Sequence, residues 1–156
     1  MVVINGKAFE EKFKNDWKKT VSESTIDRLY DVQFGYKSVD NVSDFFCYKY
    51  PNIYFIECKA HKGSSLPFDA FPQYDKLIQK SGIKGVRAGV VLFLYEKSKV
   101  LYIPVSTVKQ IKEAGEKSVG LRHLDSHRIF ELPSTKKRVF MDTDYSYLVD
   151  NLEEGD

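Results

Sequence analysis

One segment, from Ser43 to Lys59, constrains the fold more than any other part of the chain. It reads SDFFCYKYPNIYFIECK, and two runs of aromatic and aliphatic β-formers, Phe45 to Tyr48 and Ile53 to Ile56, flank a group that contains a proline and an asparagine. This order of β-formers and turn residues predicts a β-hairpin. A four-residue loop between the two runs pairs Tyr48 with Ile53 and gives the hairpin a defined register.

That register brings two carboxylates together. Counting outward from the Tyr48–Ile53 pair places Asp44 opposite Glu57 on one face, with Cβ atoms about 4.5–5.5 Å apart. Like charges this close repel each other, so a positive group is expected between them. Lys59 lies two residues beyond Glu57 and shares its face. A divalent cation such as Mg²⁺, which takes carboxylate oxygens and water as ligands, would complete the neutralisation.

The residues around Glu57 help to decide whether the charges of this hairpin are merely solvated or form a functional site. A surface hairpin with solvated charges is the common explanation for an arbitrary D…ExK pattern. Residues 53–58, IYFIEC, are apolar on both alternating faces apart from the glutamate, which is typical of a central strand covered on both sides. A carboxylate in such a strand is costly unless it is paired or bound to metal. The pattern therefore favours a functional site.

Size, cysteine content and hydropathy limit the alternatives. The 156 residues predict a single domain over 1–156, in which we expect the acidic segment 149–156 to fray. No apolar run approaches the roughly 20 residues of a membrane span and no signal-peptide segment is present, so we expect a cytoplasmic protein without a membrane partner. Cys47 and Cys58 fall in predicted strands, where thiols are usually buried, which argues against zinc. The net charge of +2 does not decide whether nucleic acid is bound.

The N-terminal segment predicts an amphipathic helix. Asn5 is a candidate N-cap, and Phe9, Phe13 and Trp17 recur every four residues as a buried stripe. At 100° per residue Glu10 lies on the flank of this stripe and could reach an active site, whereas the next residue, Glu11, points to solvent. A first-turn glutamate that favours the helix dipole explains Glu10 equally well.

Residues 25–36 suit an edge strand or an irregular connection, with Arg28 and Lys37 as candidate phosphate contacts or ordinary surface cations. A second helix is expected to begin near Phe71 or Pro72 and to stop at Gly82. Gln73 at its start could face the metal site or simply form a surface hydrogen bond.

The loop that follows Lys59 is rich in hydrogen-bond donors. Such a loop can hold a DNA backbone, although a solvated loop is a close alternative. The candidate DNA contacts in it are His61, Lys62, Ser64 and Ser65. Further along, His123 and His127 have the spacing of a zinc pair, but no third ligand accompanies them, so we interpret them as surface or DNA-facing residues.

The order of these features resembles the PD-(D/E)xK nuclease superfamily, and within it the RecU-type Holliday junction resolvases of Gram-positive bacteria and their phages. The resemblance implies an α/β protein with the restriction-endonuclease-like fold, a central mixed β-sheet flanked by helices. It runs through most of the chain and is carried by Gly6-Lys7-Ala8-Phe9-Glu10-Glu11, Ser43-Asp44-Phe45, Glu57-Cys58-Lys59, Leu66-Pro67-Phe68 and Pro72-Gln73-Tyr74, and more weakly by Val90 to Tyr95 and Tyr102-Ile103-Pro104.

The resemblance also implies roles for individual residues. Asp44 and Glu57 would bind Mg²⁺, with Mn²⁺ as a candidate substitute, and Gln73 would complete the metal shell. Lys59 would stabilise the transition state, and Glu10 matches the helix glutamate of related resolvases. The chain departs from the family at Val42, where a threonine is usual, and the segment 28–42 is much shorter than the family's stalk, which looks phage-like.

The function implied is a Mg²⁺-dependent structure-specific endodeoxyribonuclease that resolves four-way DNA junctions by paired symmetric nicks in recombination and repair. Two symmetric nicks require two sites and hence a two-fold homodimer. Two alternatives stay open: another nuclease of the superfamily, restriction-like or flap-directed, and a catalytically silent DNA-binding accessory.

Overall fold

The computed structural model of the chain describes residues 4–30, 32–34, 37–39 and 41–156, and for 32–34 and 37–39 it describes the backbone only. Its helices are α1 (Gly6–Thr20), α2 (Tyr74–Lys80), α3 (Val105–Glu113) and α4 (Ser146–Asn151). Its strands are β1 (Ser24–Arg28), β2 (Val32–Phe34), β3 (Lys37–Val39), β4 (Phe45–Lys49), β5 (Asn52–His61), β6 (Ser65–Pro67), β7 (Val86–Leu94), β8 (Lys99–Pro104), β9 (Ser118–Gly120), β10 (Phe130–Glu131), β11 (Ser134–Lys136) and β12 (Met141–Thr143).

A six-stranded mixed sheet in the order β1-β4-β5-β7-β8-β10 forms the centre of the molecule. Strands β5 and β7 run parallel, and the connection between them passes through α2, as parallel neighbours require. The other pairs in this sheet are antiparallel. Three smaller ladders, β2–β3, β6–β9 and β11–β12, lie outside it. The predicted central mixed sheet flanked by helices is confirmed, and β1 is the predicted edge strand.

Helix α1 covers one face of the sheet, and both its N-cap and its buried stripe are those that the sequence predicted. The side chain of Asn5 accepts a hydrogen bond from the Lys7 amide at 2.9 Å and caps the helix. Phe9, Phe13 and Trp17 are all buried, and Trp17 packs edge-on against Tyr54 of β5. Helix α4 contributes to the same apolar cluster.

Helices α2 and α3 cover the opposite face. Leu77 of α2 and Val108 and Ile111 of α3 are fully buried against β7 and β8. Strand β7 is therefore enclosed on both sides, which explains why its sequence is apolar from Ala88 to Leu94. Helix α2 begins at Tyr74, two to three residues later than predicted, because Phe68–Ala70 forms a 3₁₀ turn before it.

The predicted hairpin register is confirmed. Tyr48 pairs with Ile53, and the ladder continues to Phe45 opposite Ile56. Lys49 also pairs with Asn52, so the connection is two residues tighter than the four-residue loop that the sequence indicated. Cys47 and Cys58 are buried free thiols on the α1 side.

The acidic end of the chain is docked, which corrects the expectation that 149–156 frays. The carboxylate of Asp156 is 6% exposed and accepts hydrogen bonds from the Arg128 guanidinium. Ser106 donates a 2.8 Å hydrogen bond to the carbonyl oxygen of Gly155. Leu152 packs into the α1-side cluster. Composition suggested a solvated tail because the cation that pairs with it lies on a distant part of the sequence.

Within the described residues, no helix is both long enough and apolar enough to pass through a lipid bilayer.

The tight β7–β8 contact gives a stability prediction. A Cβ at Gly89 would lie 2.6 Å from the Ile103 carbonyl oxygen and from the fully buried Tyr102 ring. We expect Gly89→Ala to lower the free energy of unfolding by about 1–3 kcal/mol, as overpacking does. Gly6→Ala, where the added methyl meets nothing within 4 Å, is the matched control and should change it by less than about 1 kcal/mol. Equal denaturant midpoints for the two variants would contradict this packing.

Candidate active site

Asp44 is fixed by both its side chain and its backbone. It directly precedes β4, so extending the Phe45–Ile56 pair by one residue places it opposite Glu57, as predicted. Its Oδ2 accepts a 2.9 Å hydrogen bond from the Cys58 amide, and its carbonyl oxygen accepts a 2.7 Å bond from the Leu29 amide. The carboxylate is thus held against β5 from the neighbouring strand.

Glu57 is a buried carboxyl group on β5, only 3% exposed. The pKa of Glu57 is raised to about 9, mainly by burial and in addition by the adjacent Asp44 carboxylate. Lys59, with its Nζ 3.8 Å from Glu57 Oε1, opposes the shift. Without a bound cation the group therefore holds a proton at neutral pH.

Glu10 reaches this site from α1. Burial raises its pKa, and Asp44 contributes to the increase, so the two carboxyl groups interact. Arg28 counteracts the shift through a 2.6 Å hydrogen bond from its Nη2 to Glu10 Oε2. Of the two explanations for Glu10, position at the site fits its surroundings better than a helix-dipole role. Glu11 is exposed, as its place on the helix predicted.

Arg28 extends from the edge strand β1 over the carboxyl cluster. Its guanidinium carbon lies 5.4 Å from the centres of both the Tyr30 and Phe45 rings. The sequence suggested a phosphate contact here; the structure adds an ion pair with Glu10 that local spacing could not reveal, because the partners are 18 residues apart. The side chain of Lys37, the other predicted contact on this segment, lies outside the described residues.

A cavity of about 340 Å³ opens beside these groups, and Asp44, Glu57 and Gln73 line it. The Oε1 atom of Gln73 is buried and has no hydrogen-bond partner among the described residues. A buried amide oxygen normally has a donor or a cation beside it. Two carboxylates and an unsatisfied amide oxygen around one cavity form an all-oxygen donor set, which suits Mg²⁺ or Mn²⁺.

The carboxyl groups do not form a ready-made cage. Across the described ranges, no three His, Cys, Asp or Glu side chains are placed to hold a metal together. Mg²⁺ usually keeps several waters and substrate oxygens beside one or two carboxylates. The donor set of Asp44, Glu57 and Gln73 matches this coordination, in which water supplies the remaining ligands.

The loop after β5 is braced by a small ladder. Ser65 pairs with Gly120 in β6–β9, and the Ser64 carbonyl oxygen accepts a 3.0 Å bond from Leu121. Lys62 and Ser64 are exposed, whereas His61 is half-buried, with Nδ1 2.7 Å from the Lys62 carbonyl oxygen. Their predicted DNA contacts stay predictions.

Lys76 is a cavity-lining cation that the sequence interpretation missed. It follows Gln73 by three residues at the start of α2, and the helical i, i+3 rule could have found it.

The expected surface position of His123 is wrong. Its ring is 3% exposed, with Nε2 3.0 Å from Glu116 Oε1 and Nδ1 accepting from the Gly120 amide at 3.2 Å. His123 thus holds the turn after β9. The ring of His127 packs edge-on against it at 5.2 Å.

The buried carboxyl group predicts a pH-dependent stability. Because the folded pKa of Glu57 lies above its unfolded value, the group costs no stability below about pH 4.5. That cost grows as pH rises toward about 9. In metal-free buffer we expect Glu57→Gln to raise the free energy of unfolding at pH 8 by about 1–3 kcal/mol, and to change it little at pH 5. The exposed Glu11→Gln is the control, and a Glu57→Gln protein equally or less stable at pH 8 would contradict the burial.

Comparison with known proteins bears on the fold. No family model and no curated protein matches the chain. Among solved structures, the chain is similar to Hjc, a Holliday junction resolvase from the archaeal hyperthermophile Archaeoglobus fulgidus. The TM-score is 0.56 with 19% sequence identity, over 78% of this chain and 93% of that chain. The chain therefore has the restriction-endonuclease-like fold that the family resemblance implied, with a central mixed sheet flanked by helices.

Proposed function

We propose that the protein is a Mg²⁺-dependent, structure-specific endodeoxyribonuclease that resolves four-way DNA junctions by paired symmetric nicks. One observation carries the proposal: Asp44, Glu57 and the unpartnered Gln73 oxygen surround one cavity, with Lys59 beside Glu57, in a resolvase-like fold. A solvated surface hairpin would not bury a carboxyl group at 3% exposure.

Three oxygen donors would hold the cation: the carboxylates of Asp44 and Glu57 and the amide oxygen of Gln73. When bound, Mg²⁺ supplies Lewis-acid chemistry, neutralising phosphate charge and lowering the pKa of water. Glu57 must give up its proton to become a ligand, so binding at neutral pH releases a proton. The Cys58 amide keeps Asp44 oriented throughout.

Besides the metal ion, Lys59 and Arg28 would bring positive charge to the bound phosphate. Lys59, whose Nζ lies 3.8 Å from Glu57 Oε1, can donate to a nonbridging phosphate oxygen, where negative charge accumulates in the transition state. Arg28 is oriented by Glu10 and can contact the neighbouring phosphate, so Glu10 acts as a positioning residue. Further contacts with the DNA backbone would come from Lys37 and from His61, Lys62, Ser64 and Ser65.

A homodimer completes the proposal. A four-way junction has two-fold symmetry, and two chains related by the same symmetry present two sites for the paired cuts. The short segment between Arg28 and Val42 favours a compact, phage-like member of the RecU type, acting in recombination and repair.

Cleavage of synthetic substrates tests the function. We expect paired symmetric cuts in a four-way junction in the presence of Mg²⁺, or of Mn²⁺ as its candidate substitute, while linear duplex stays intact. Asp44→Asn and Lys59→Ala should each lower the cleavage rate by about 10²- to 10³-fold or more, since each removes preorganised charge. The exposed Asp125→Asn and Lys97→Ala are charge-matched controls and should cleave normally.

Three results would contradict the proposal. Unpaired or absent cuts in the junction would exclude resolution, and faster cleavage of flaps or linear duplex would indicate another nuclease of the same fold. Full activity in Asp44→Asn would exclude the site.

A further inference from the structure

A second cationic element lies outside the site described above, at the turn of the β11–β12 hairpin. Lys136, Lys137 and Arg138 are consecutive and exposed, followed by Val139, which is 47% exposed. Lys137 has a 3.7 Å ion pair with Asp142, whereas no ion pair joins Lys136 or Arg138 to any described residue. We call residues 136–139 the basic tip.

The basic tip is rigidly supported. Lys136 pairs with Met141 in the ladder, and the Lys137 amide donates to the Phe140 carbonyl oxygen at 2.9 Å. Met141 is buried, and the Phe140 ring lies 6.1 Å from that of Phe93. A fixed turn loses little conformational entropy when it contacts a ligand.

Helix α1 fastens the hairpin to the face of the sheet that α1 covers. Asp16, 3% exposed, accepts a 3.1 Å bond from the Thr143 amide. Lys12 bridges Asp16 at 2.8 Å and Asp142 of β12 at 2.5 Å. The same helix carries Glu10 to the carboxyl cluster, so the tip and the site share one rigid support.

Ring contacts locate the tip relative to the site. Phe140 contacts Phe93, and Phe93 contacts Phe9, the neighbour of Glu10, at 5.3 Å. Phe93 also pairs with Ala60 of β5, the residue after Lys59. The basic tip therefore flanks the end of β5 from the α1 side, while the loop 61–65 flanks it from the side covered by α2 and α3.

We propose that the basic tip is a second DNA-contact element, in which Lys136 and Arg138 bind backbone phosphates of the duplex arm that lies across the active site. This inference rests on the proposed nuclease function and adds a binding surface to it. DNA carries one negative charge per about 1.7 Å of duplex, so a duplex seated between the two flanks offers phosphates to both. The chain holds the two unpaired cations ready for them.

Salt dependence of DNA binding tests the inference. Binding of a labelled four-way junction would be measured by fluorescence anisotropy without divalent metal, from 50 mM to 300 mM salt. Each lost phosphate contact should reduce the slope of log affinity against log salt by about 0.9. We therefore expect Lys136→Gln/Arg138→Gln to flatten the slope by about 2 for each bound protomer, and to weaken binding about tenfold or more at 0.15 M salt.

The control is Lys18→Gln/Lys84→Gln, which removes the same charge from exposed positions at the opposite end of β5 and β7. It should leave the slope close to that of the wild type, and both variants should melt like the wild type.

The outcomes separate the two proposals. A tip variant whose slope equals that of the control, in a protein that binds and cuts junctions, overturns the DNA contact and leaves the nuclease proposal intact. A wild-type protein that binds no DNA overturns both. A flattened slope in a protein that binds but does not cut supports the contact and contradicts the enzyme.

Discussion

The burial of Glu57 beside Asp44 is the interaction on which the rest of the site depends. A carboxyl group buried in a covered strand beside a second carboxyl group is unfavourable unless a proton or a cation lies between the two. Among the described residues, Lys59 at 3.8 Å from Glu57 compensates in part, and Arg28 is already paired with Glu10. Because the neutralisation is incomplete, a divalent ion bound in this oxygen-lined cavity would stabilise the two carboxylates.

Helix α1 connects the carboxyl cluster to other parts of the fold. Its buried stripe packs on β5, its Glu10 reaches the carboxyl cluster, and its Lys12 and Asp16 hold the β11–β12 hairpin. One helix thus fixes both Glu10 of the candidate site and the basic tip. A rigid support of this kind suits the proposed nuclease, which would have to place a phosphate accurately, because small displacements reduce rates strongly.

Much of this arrangement followed from the sequence because the relevant rules are local. The strand period of two and the turn residues predicted the Tyr48–Ile53 register, and the register alone brought Asp44 to Glu57. The four-residue spacing of Phe9, Phe13 and Trp17 likewise predicted the buried face of α1. The Glu10–Arg28 pair, the docked Asp156 and the buried His123 could not be predicted, since their partners are set by tertiary packing between distant segments.

The central claim is that Asp44, Glu57 and Gln73 form one divalent-cation site, and isothermal titration calorimetry tests it most directly. We predict that Mg²⁺ and Mn²⁺ bind the wild-type protein with one common site per chain, and that Asp44→Asn abolishes the heat of binding while Asp125→Asn retains it. Wild-type protein that binds neither ion, or an Asp44→Asn protein that binds both with unchanged affinity, would contradict the account.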